Sequence, residues 1–183
     1  FFGQIVGYAS IALFVLLTGL YVWVFPSHSI LDRTILSLDP FFTWAPIFLI
    51  LVVSAATMGQ FAEESAEGTL ELLVTKPLSS VQIVLGKYFA AISIVALTLA
   101  LTVITYIPSI QALALDNVSL DYGSVLGAYL GLMLLGMTFS AVGLFTSILL
   151  RSQVVAFLLS ATINAMGYLG FELISEKKQF AGY

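Results

Sequence analysis

The chain has 183 residues, of which 60% are hydrophobic and only 9% are charged. Soluble domains carry roughly 25% charged residues, so this chain has too few charges to cover a water-exposed surface, and an integral membrane protein is expected. A net charge of −4 with no basic block argues against nucleic acid as a partner, and the lack of cysteine excludes disulfides and thiol chemistry.

Apolar runs of roughly 20 residues cross a bilayer as helices, because lipid offers the backbone no hydrogen-bond partners. Helices apolar all round can also form the core of a large soluble protein, but the length and charge content argue against that here. Five such runs predict an all-α integral membrane protein, a polytopic helical bundle in a single transmembrane domain over residues 1–183. The first span is read over about 4–25. It starts almost at Phe1 with no charged segment ahead of it, so it does not read as a signal peptide, and further residues are expected before Phe1. The loop from Pro26 to Pro40 follows. Ile30, Leu31, Thr34, Ile35 and Leu38 are spaced for a short helix lying in the membrane interface; a plain turn-rich loop is the alternative. The second span covers 41–58, an acidic island covers 61–87, and the third span covers 88–107. The next loop, to Asp121, carries Asp116 and Asp121 and no Lys or Arg. The fourth span, 122–150, is long enough to be tilted, or kinked or broken near Gly136. The fifth covers 153–173.

Aromatic rings mark membrane interfaces, where an apolar face and a polar edge are both satisfied. Tyr21, Trp23, Phe25, Phe41, Phe42, Trp44, Tyr106 and Tyr122 fall on one side, and Tyr88 and Phe89 on the other. Counting cations does not orient the chain. With the acidic island inside, Lys76, Lys87 and Arg151 are inside and Arg33, Lys177 and Lys178 outside. Leaving out the tail after the fifth span favours the island inside.

The island, FAEESAEGTLELLVTKPLSSVQIVLGK, holds four of the ten acidic residues: Glu63, Glu64, Glu67 and Glu71. On a helix over 61–74, Glu63, Glu67 and Glu71 share one face with Glu64 beside them. Like charges at that spacing destabilise an isolated helix by about 0.2–0.5 kcal/mol per pair, and Gly68 costs up to about 1 kcal/mol more. A break at Gly68 is therefore expected, followed by a short amphipathic helix over 69–75 with Leu70, Leu73 and Val74 on one face. Pro77 ends it. Ser79 with Gln82 fits a capping box, and Lys87 is placed for its long side chain to reach the interface. An acidic loop of this kind can be merely solvated. An apolar stripe with an acidic edge also suits a groove in a partner protein.

Several chemistries lack their residues. Gly86-Lys87 is followed by Tyr88 and has Val81 where a phosphate loop needs glycine, so the Walker pattern fails, and no cofactor is expected in this chain. His28 is the one histidine; it reads as a loop residue, and a zinc site is not expected. The spans are nearly free of ionisable groups, with Glu172 near a helix end as the exception. Buried ionisable groups mark ion and proton pathways, so an ion-coupled secondary transporter is disfavoured and energy must enter from elsewhere. Gly123, Gly127 and Gly131 form a GxxxGxxxG pattern, with Gly136 and Gly143 beyond, and Gly3 and Gly7 repeat the spacing. Small residues at this interval let helices approach closely, either within one subunit, the favoured reading, or between subunits. Ser160, Thr162 and Asn164 in the fifth span can line a path or, as favoured, bond to neighbouring helices.

The run EESAEGTLELLVTKPLSSVQIVLGK resembles the hallmark of ABC-2 type transporter permeases. In that family a charged segment, Gly-Thr-Leu-Glu-Leu-Leu, a proline turn and a Gly-Lys pair precede the third span. Gly68, Thr69, Leu70, Glu71, Leu72, Leu73, Pro77, Gly86 and Lys87 stand in those places. TGLYVWVFP, LDPFF, FAEE and RSQVVAFLLS are similar to the gliding-motility-associated permeases of this family, while the central motif is shared with copper-related and antibiotic-export permeases. The resemblance implies six spans per subunit, of which five are read here, an amphipathic helix ahead of the first span, and a cytoplasmic coupling helix between spans two and three. It implies ABC ATPase subunits that carry ATP and magnesium, a second permease subunit, identical or homologous, and a place in the bacterial inner membrane. Glu63, Glu64, Glu67, Gly68, Thr69, Leu70, Glu71, Leu72 and Leu73 are the residues expected at the ATPase. Two functions follow from the sequence. One is the permease subunit of an ATP-driven exporter linked to gliding motility or secretion; the other is a non-transporting membrane scaffold that recruits a cytoplasmic partner.

Overall fold

A computed structural model describes residues 5–23, 38–68, 79–113 and 121–180, with the side chains of Ile5, Leu113 and residues 174–180 outside that description. The described residues form six helices and no strands. They are α1 (Ile5–Trp23), α2 (Asp39–Thr57), α3 (Gly59–Ala66), α4 (Ser80–Leu113), α5 (Tyr122–Leu149) and α6 (Gln153–Phe180). Five stretches are long and apolar enough to cross a membrane: Val6–Trp23, Asp39–Ala66, Ser80–Ala112, Tyr122–Leu149 and Gln153–Leu173. The polytopic helical bundle read from the apolar runs is what the chain forms.

α2 is the centre of the bundle and packs against α1, α4, α5 and α6. Phe14, Val22, Phe41, Leu49, Val52, Val95, Leu99, Leu132 and Phe139 fill the core between them. Large apolar side chains such as Leu126, Leu134, Phe145, Val154, Met166 and Phe171 face outward. In water such a surface would be an association hazard; in lipid it is the ordinary outer face.

The aromatic residues do gather at one end, but not as a belt alone. Phe41 and Tyr106 are buried, with ring centroids 5.2 Å apart, and Tyr129 stands 5.8 Å from Phe41. The Tyr106 hydroxyl donates to Thr18 Oγ1 at 2.9 Å, and Thr18 donates on to the Phe14 carbonyl. Buried tyrosine hydroxyls need such partners. Trp44 and Tyr122 stay exposed, as interface residues do.

Helix boundaries differ from the sequence reading in three places. α4 starts at Ser80, so the lead into the third span and the span itself are one helix. The capping box is formed in both halves: Ser79 N–H donates to Gln82 Oε1 at 3.0 Å, and Gln82 N–H donates to Ser79 Oγ at 3.3 Å. α5 runs unbroken through Gly136. That glycine admits a neighbour instead, since a Cβ there would lie 2.4 Å from Val95 Cγ1. Glu172 lies within α6, which continues past it to Phe180. The loop helix over Ile30–Leu38 falls outside the described residues except for Leu38.

Gly123, Gly127 and Gly131 require a correction. They lie on the exposed face of α5, and a Cβ on Gly127 or Gly131 would meet nothing within 4 Å. Gly123 meets only the Asp121 carboxylate that caps its own helix. Among the described residues, the favoured packing within one subunit is not made through Gly127 or Gly131. It is made at Gly136 and at Gly143, where a Cβ would lie 2.0 Å from Thr57 Oγ1 and 3.3 Å from Ser160 Oγ. Beside Gly143, Ser54 and Ser160 share a hydrogen bond of 3.0 Å. Asn164 donates to the Phe139 carbonyl and to Ser160 Oγ, each at 3.4 Å. Ser160 and Asn164 thus bond to neighbouring helices, while Thr162 bonds back to Leu158 of its own.

Candidate functional site

The acidic residues are carried by α3, a short helix joined to α2 at Met58. It stops at the break expected at Gly68 of the helix over 61–74. It begins at Gly59 and ends at Ala66, with the Glu67 N–H donating to the Glu63 carbonyl at 2.9 Å. Gly68 follows with φ +71, the left-handed geometry that terminates helices and that only glycine adopts without cost. The like-charge crowding of Glu63, Glu64 and Glu67 favours stopping the helix there.

Glu63, Glu64 and Glu67 share an open cavity of about 380 Å³ with Gln60, Gly86 and Lys87. The sequence places three carboxylates and one ammonium around that space, a negative excess. Gly59 is one of the cavity's small walls, and a Cβ on it would crowd the Glu63 carboxylate at 3.3 Å. Thr69, Leu70, Glu71, Leu72 and Leu73 fall outside the described residues, as do the amphipathic helix over 69–75 and Pro77.

Lys87 turns back onto the acidic helix. Its ammonium turns onto α3, 2.5 Å from Glu64 Oε2 and 4.2 Å from the centre of the Phe61 ring, and donates to the Gln60 carbonyl. Its side chain is only 17% exposed. A carboxylate, a carbonyl and a ring face together compensate a partly buried cation. α3 is thereby fastened to the start of α4.

A second fastening was not legible in the sequence. Ser147 of α5 is fully buried, and its hydroxyl oxygen accepts from Phe61 N–H at 3.0 Å and Ala62 N–H at 3.1 Å. It donates to the Met58 carbonyl at 2.9 Å. Nothing marks this serine in sequence, since it is one hydroxyl among several in a long apolar run. The geometry also includes Gln153 at the start of α6, which lines a small cavity of about 30 Å³ with Gln60 and Glu63. Among the described residues no cluster of His, Cys, Asp or Glu is arranged to hold a metal ion.

A helical bundle with five stretches long and apolar enough to cross a membrane, the second of them ending in a short acidic helix, defines a multi-pass membrane protein. Residues 25–181 match the family described as ABC-2 family transporter protein, and the chain belongs to that family. It is a permease component of an ABC transporter, the membrane subunit and not the ATPase, and the family works with ABC ATPase partners. No curated protein and no solved structure matches the chain.

Proposed function

We propose that this chain is the permease subunit of an ATP-driven exporter in a bacterial inner membrane, and that α3 with the residues after it is the coupling segment on which a separate ATPase subunit docks. The observation that carries the reading is the acidic helix itself. It hangs from the end of one span, is fastened to two others by Lys87 and Ser147, and presents Glu63, Glu64 and Glu67 around an open cavity. A cationic side chain of the ATPase suits that negative cavity. Leu70, Leu72 and Leu73 supply the apolar part of the contact, with Glu71 on its edge, as an amphipathic helix in a groove requires.

Motion of the ATPase on binding ATP would reach the spans through the helix fastened to them. A second permease subunit, identical or homologous, completes the transporter, and the exposed glycine face at Gly127 and Gly131, which no described residue covers, is available to meet it. The likeness of TGLYVWVFP, LDPFF and RSQVVAFLLS to gliding-motility permeases supports a role in gliding motility or secretion.

The test is the reconstituted complex. Glu63→Lys with Glu67→Lys, and separately Glu71→Lys with Leu73→Asp, are expected to abolish stimulation of ATP hydrolysis by the permease while leaving membrane insertion intact. Stimulation at the wild-type level in both double variants refutes the coupling role. A purified complex that contains no nucleotide-binding partner would instead favour a membrane scaffold.

A further inference from the structure

Hydroxyls in these spans mostly follow one habit. Ser10, Thr18, Thr57, Ser93, Thr98, Thr105, Ser109 and Ser140 each donate to the carbonyl four residues back on their own helix. That is how serine and threonine are satisfied in lipid without a partner. Ser147 departs from it. All three of its hydrogen bonds go to the backbone where α2 passes into α3. In an uninterrupted helix the N–H groups of Phe61 and Ala62 would donate to the carbonyls of Thr57 and Met58. Here Ser147 takes both donors and gives its own proton to Met58. A side chain inserted into the helical ladder is a known cause of interruption and bending, and α2 does stop at Thr57, one residue before α3 begins.

We propose that Ser147 is a latch on a pivot at Met58–Gly59, holding α3 to the fourth span so that α3 moves with the third and fourth spans rather than with the second. The inference rests on the coupling role of α3. Two features make the junction a pivot instead of a fixed joint. First, its bonds can be exchanged rather than lost. If the ladder closes, Phe61 and Ala62 regain carbonyl partners and the Ser147 hydroxyl turns back on its own helix, as Ser140 does on Gly136. Two arrangements of similar hydrogen-bond content are the ingredients of a bistable element. Second, the α3 side of the pivot is tied to α4 by Lys87 independently of the latch, while the α2 side is wedged against α5 and α6 at Gly143. Gly59 adds no side chain to hinder rotation at the junction. Ser147 touches no transported substance on this account; it is a positioning residue.

The test is amide hydrogen exchange of the Met58–Ala66 segment in the full transporter complex, with and without a non-hydrolysable ATP analogue. In the wild type, exchange at Phe61 and Ala62 is expected to change by about five- to tenfold between the two states, because the Ser147 oxygen, shared between two donors, protects each amide less than a carbonyl of its own. Ser147→Ala is expected to flatten that difference while the ATPase subunit still co-purifies, and Ser147→Thr, which keeps the hydroxyl, to restore it. A merely structural serine would alter exchange equally in both states. Equal exchange with and without nucleotide in the wild type overturns the proposal even if Ser147→Ala does not fold, and so does a Ser147→Ala variant that keeps the wild-type difference. If charge reversal at Glu63 and Glu67 abolishes stimulation but Ser147→Ala behaves as wild type, the latch fails while the coupling role stands. If charge reversal has no effect, the coupling role itself fails.

Discussion

The closest approach at a described glycine gives the sharpest prediction. An alanine Cβ at position 143 would sit 2.0 Å from Thr57 Oγ1 and 2.9 Å from Thr57 Cβ. Rotating Thr57 about χ1 removes the first clash but not the second, which remains about 0.5 Å short of the 3.4 Å at which ordinary contact begins. The α2 and α5 backbones must therefore separate, and Ser160, 3.3 Å from the same Cβ, is pushed against its bond to Ser54. Overpacking of this kind costs about 1–3 kcal/mol. Gly127→Ala is the matched control, because it changes the same residue type in the same helix and meets nothing within 4 Å. Both variants gain helix propensity, about 0.5–1 kcal/mol, so the difference between them isolates the steric cost. Unfolding free energies of the isolated subunit in mixed micelles should place Gly143→Ala about 1–3 kcal/mol below Gly127→Ala. Thr57→Ala removes the Oγ1 and should recover part of that gap, giving a non-zero coupling in a double-mutant cycle. Equal stability of the two alanine variants would show that α2 and α5 do not approach through Gly143.

Three further outcomes follow from the site. Lys87→Met removes the charged partner of Glu64 and the donor to the Gln60 carbonyl, and should cost about 1.5–3 kcal/mol; a cycle with Glu64→Gln, read by unfolding in micelles, should show that most of the loss is shared between the two side chains. Gly68→Ala forces a Cβ onto φ +71 with no described atom within 4 Å of it, so the cost expected is backbone strain. It should destabilise the end of α3 by about 1 kcal/mol, with Gly68→Asn closer to wild type because asparagine tolerates left-handed geometry, and protease nicking after α3 would report it. Ser79→Ala deletes one half of the capping box and should cost about 1 kcal/mol. Its effect should be confined to faster amide exchange in the first turn of α4, because the rest of that helix is satisfied by the membrane-spanning ladder.

Some of this was readable from composition and short patterns. Apolar runs located the five spans of the described residues, because lipid leaves the backbone no choice but a helix. The Ser79–Gln82 box was readable because both partners are three residues apart. Gly68 was readable as a break because its neighbours are like-charged. What failed depended on which surfaces meet. Gly127 and Gly143 look alike in sequence, and only the placement of α2 decides that Thr57 lies over one and no described residue over the other. Lys87 was readable as a long cationic side chain near the interface, but that its ammonium turns onto Glu64 and Phe61 depends on where α3 lies. Ser147 carried no signal at all, since its partners are backbone groups more than eighty positions away in sequence.

The two ends of the bundle are held by different chemistry, and that difference bears on where it can move. Helices in lipid gain little from apolar contact with one another, so close packing and interhelical hydrogen bonds hold them together. At the end near Tyr106 the contacts are rings: Phe41 and Tyr106 are buried and Phe42 and Tyr129 partly so, and the pairs Phe41–Phe42, Phe41–Tyr106, Phe41–Tyr129 and Phe42–Tyr129 have centroids 5.1–5.8 Å apart across α2, α4 and α5. Interlocked rings have one good arrangement, and shifting them by an ångström loses dispersion with nothing gained. At the α3 end the contacts are small residues and hydroxyls: Gly143 against Thr57, Ser54 with Ser160, Ser147 with the Met58 junction. Hydroxyls can change partners, because the backbone of their own helix always offers one. If an ATPase pulls on α3, the bundle should therefore yield at the hydroxyl end and pivot about the aromatic end. Truncating Phe41 to alanine should loosen the whole fold, whereas Ser54→Ala should alter the response to nucleotide more than the stability.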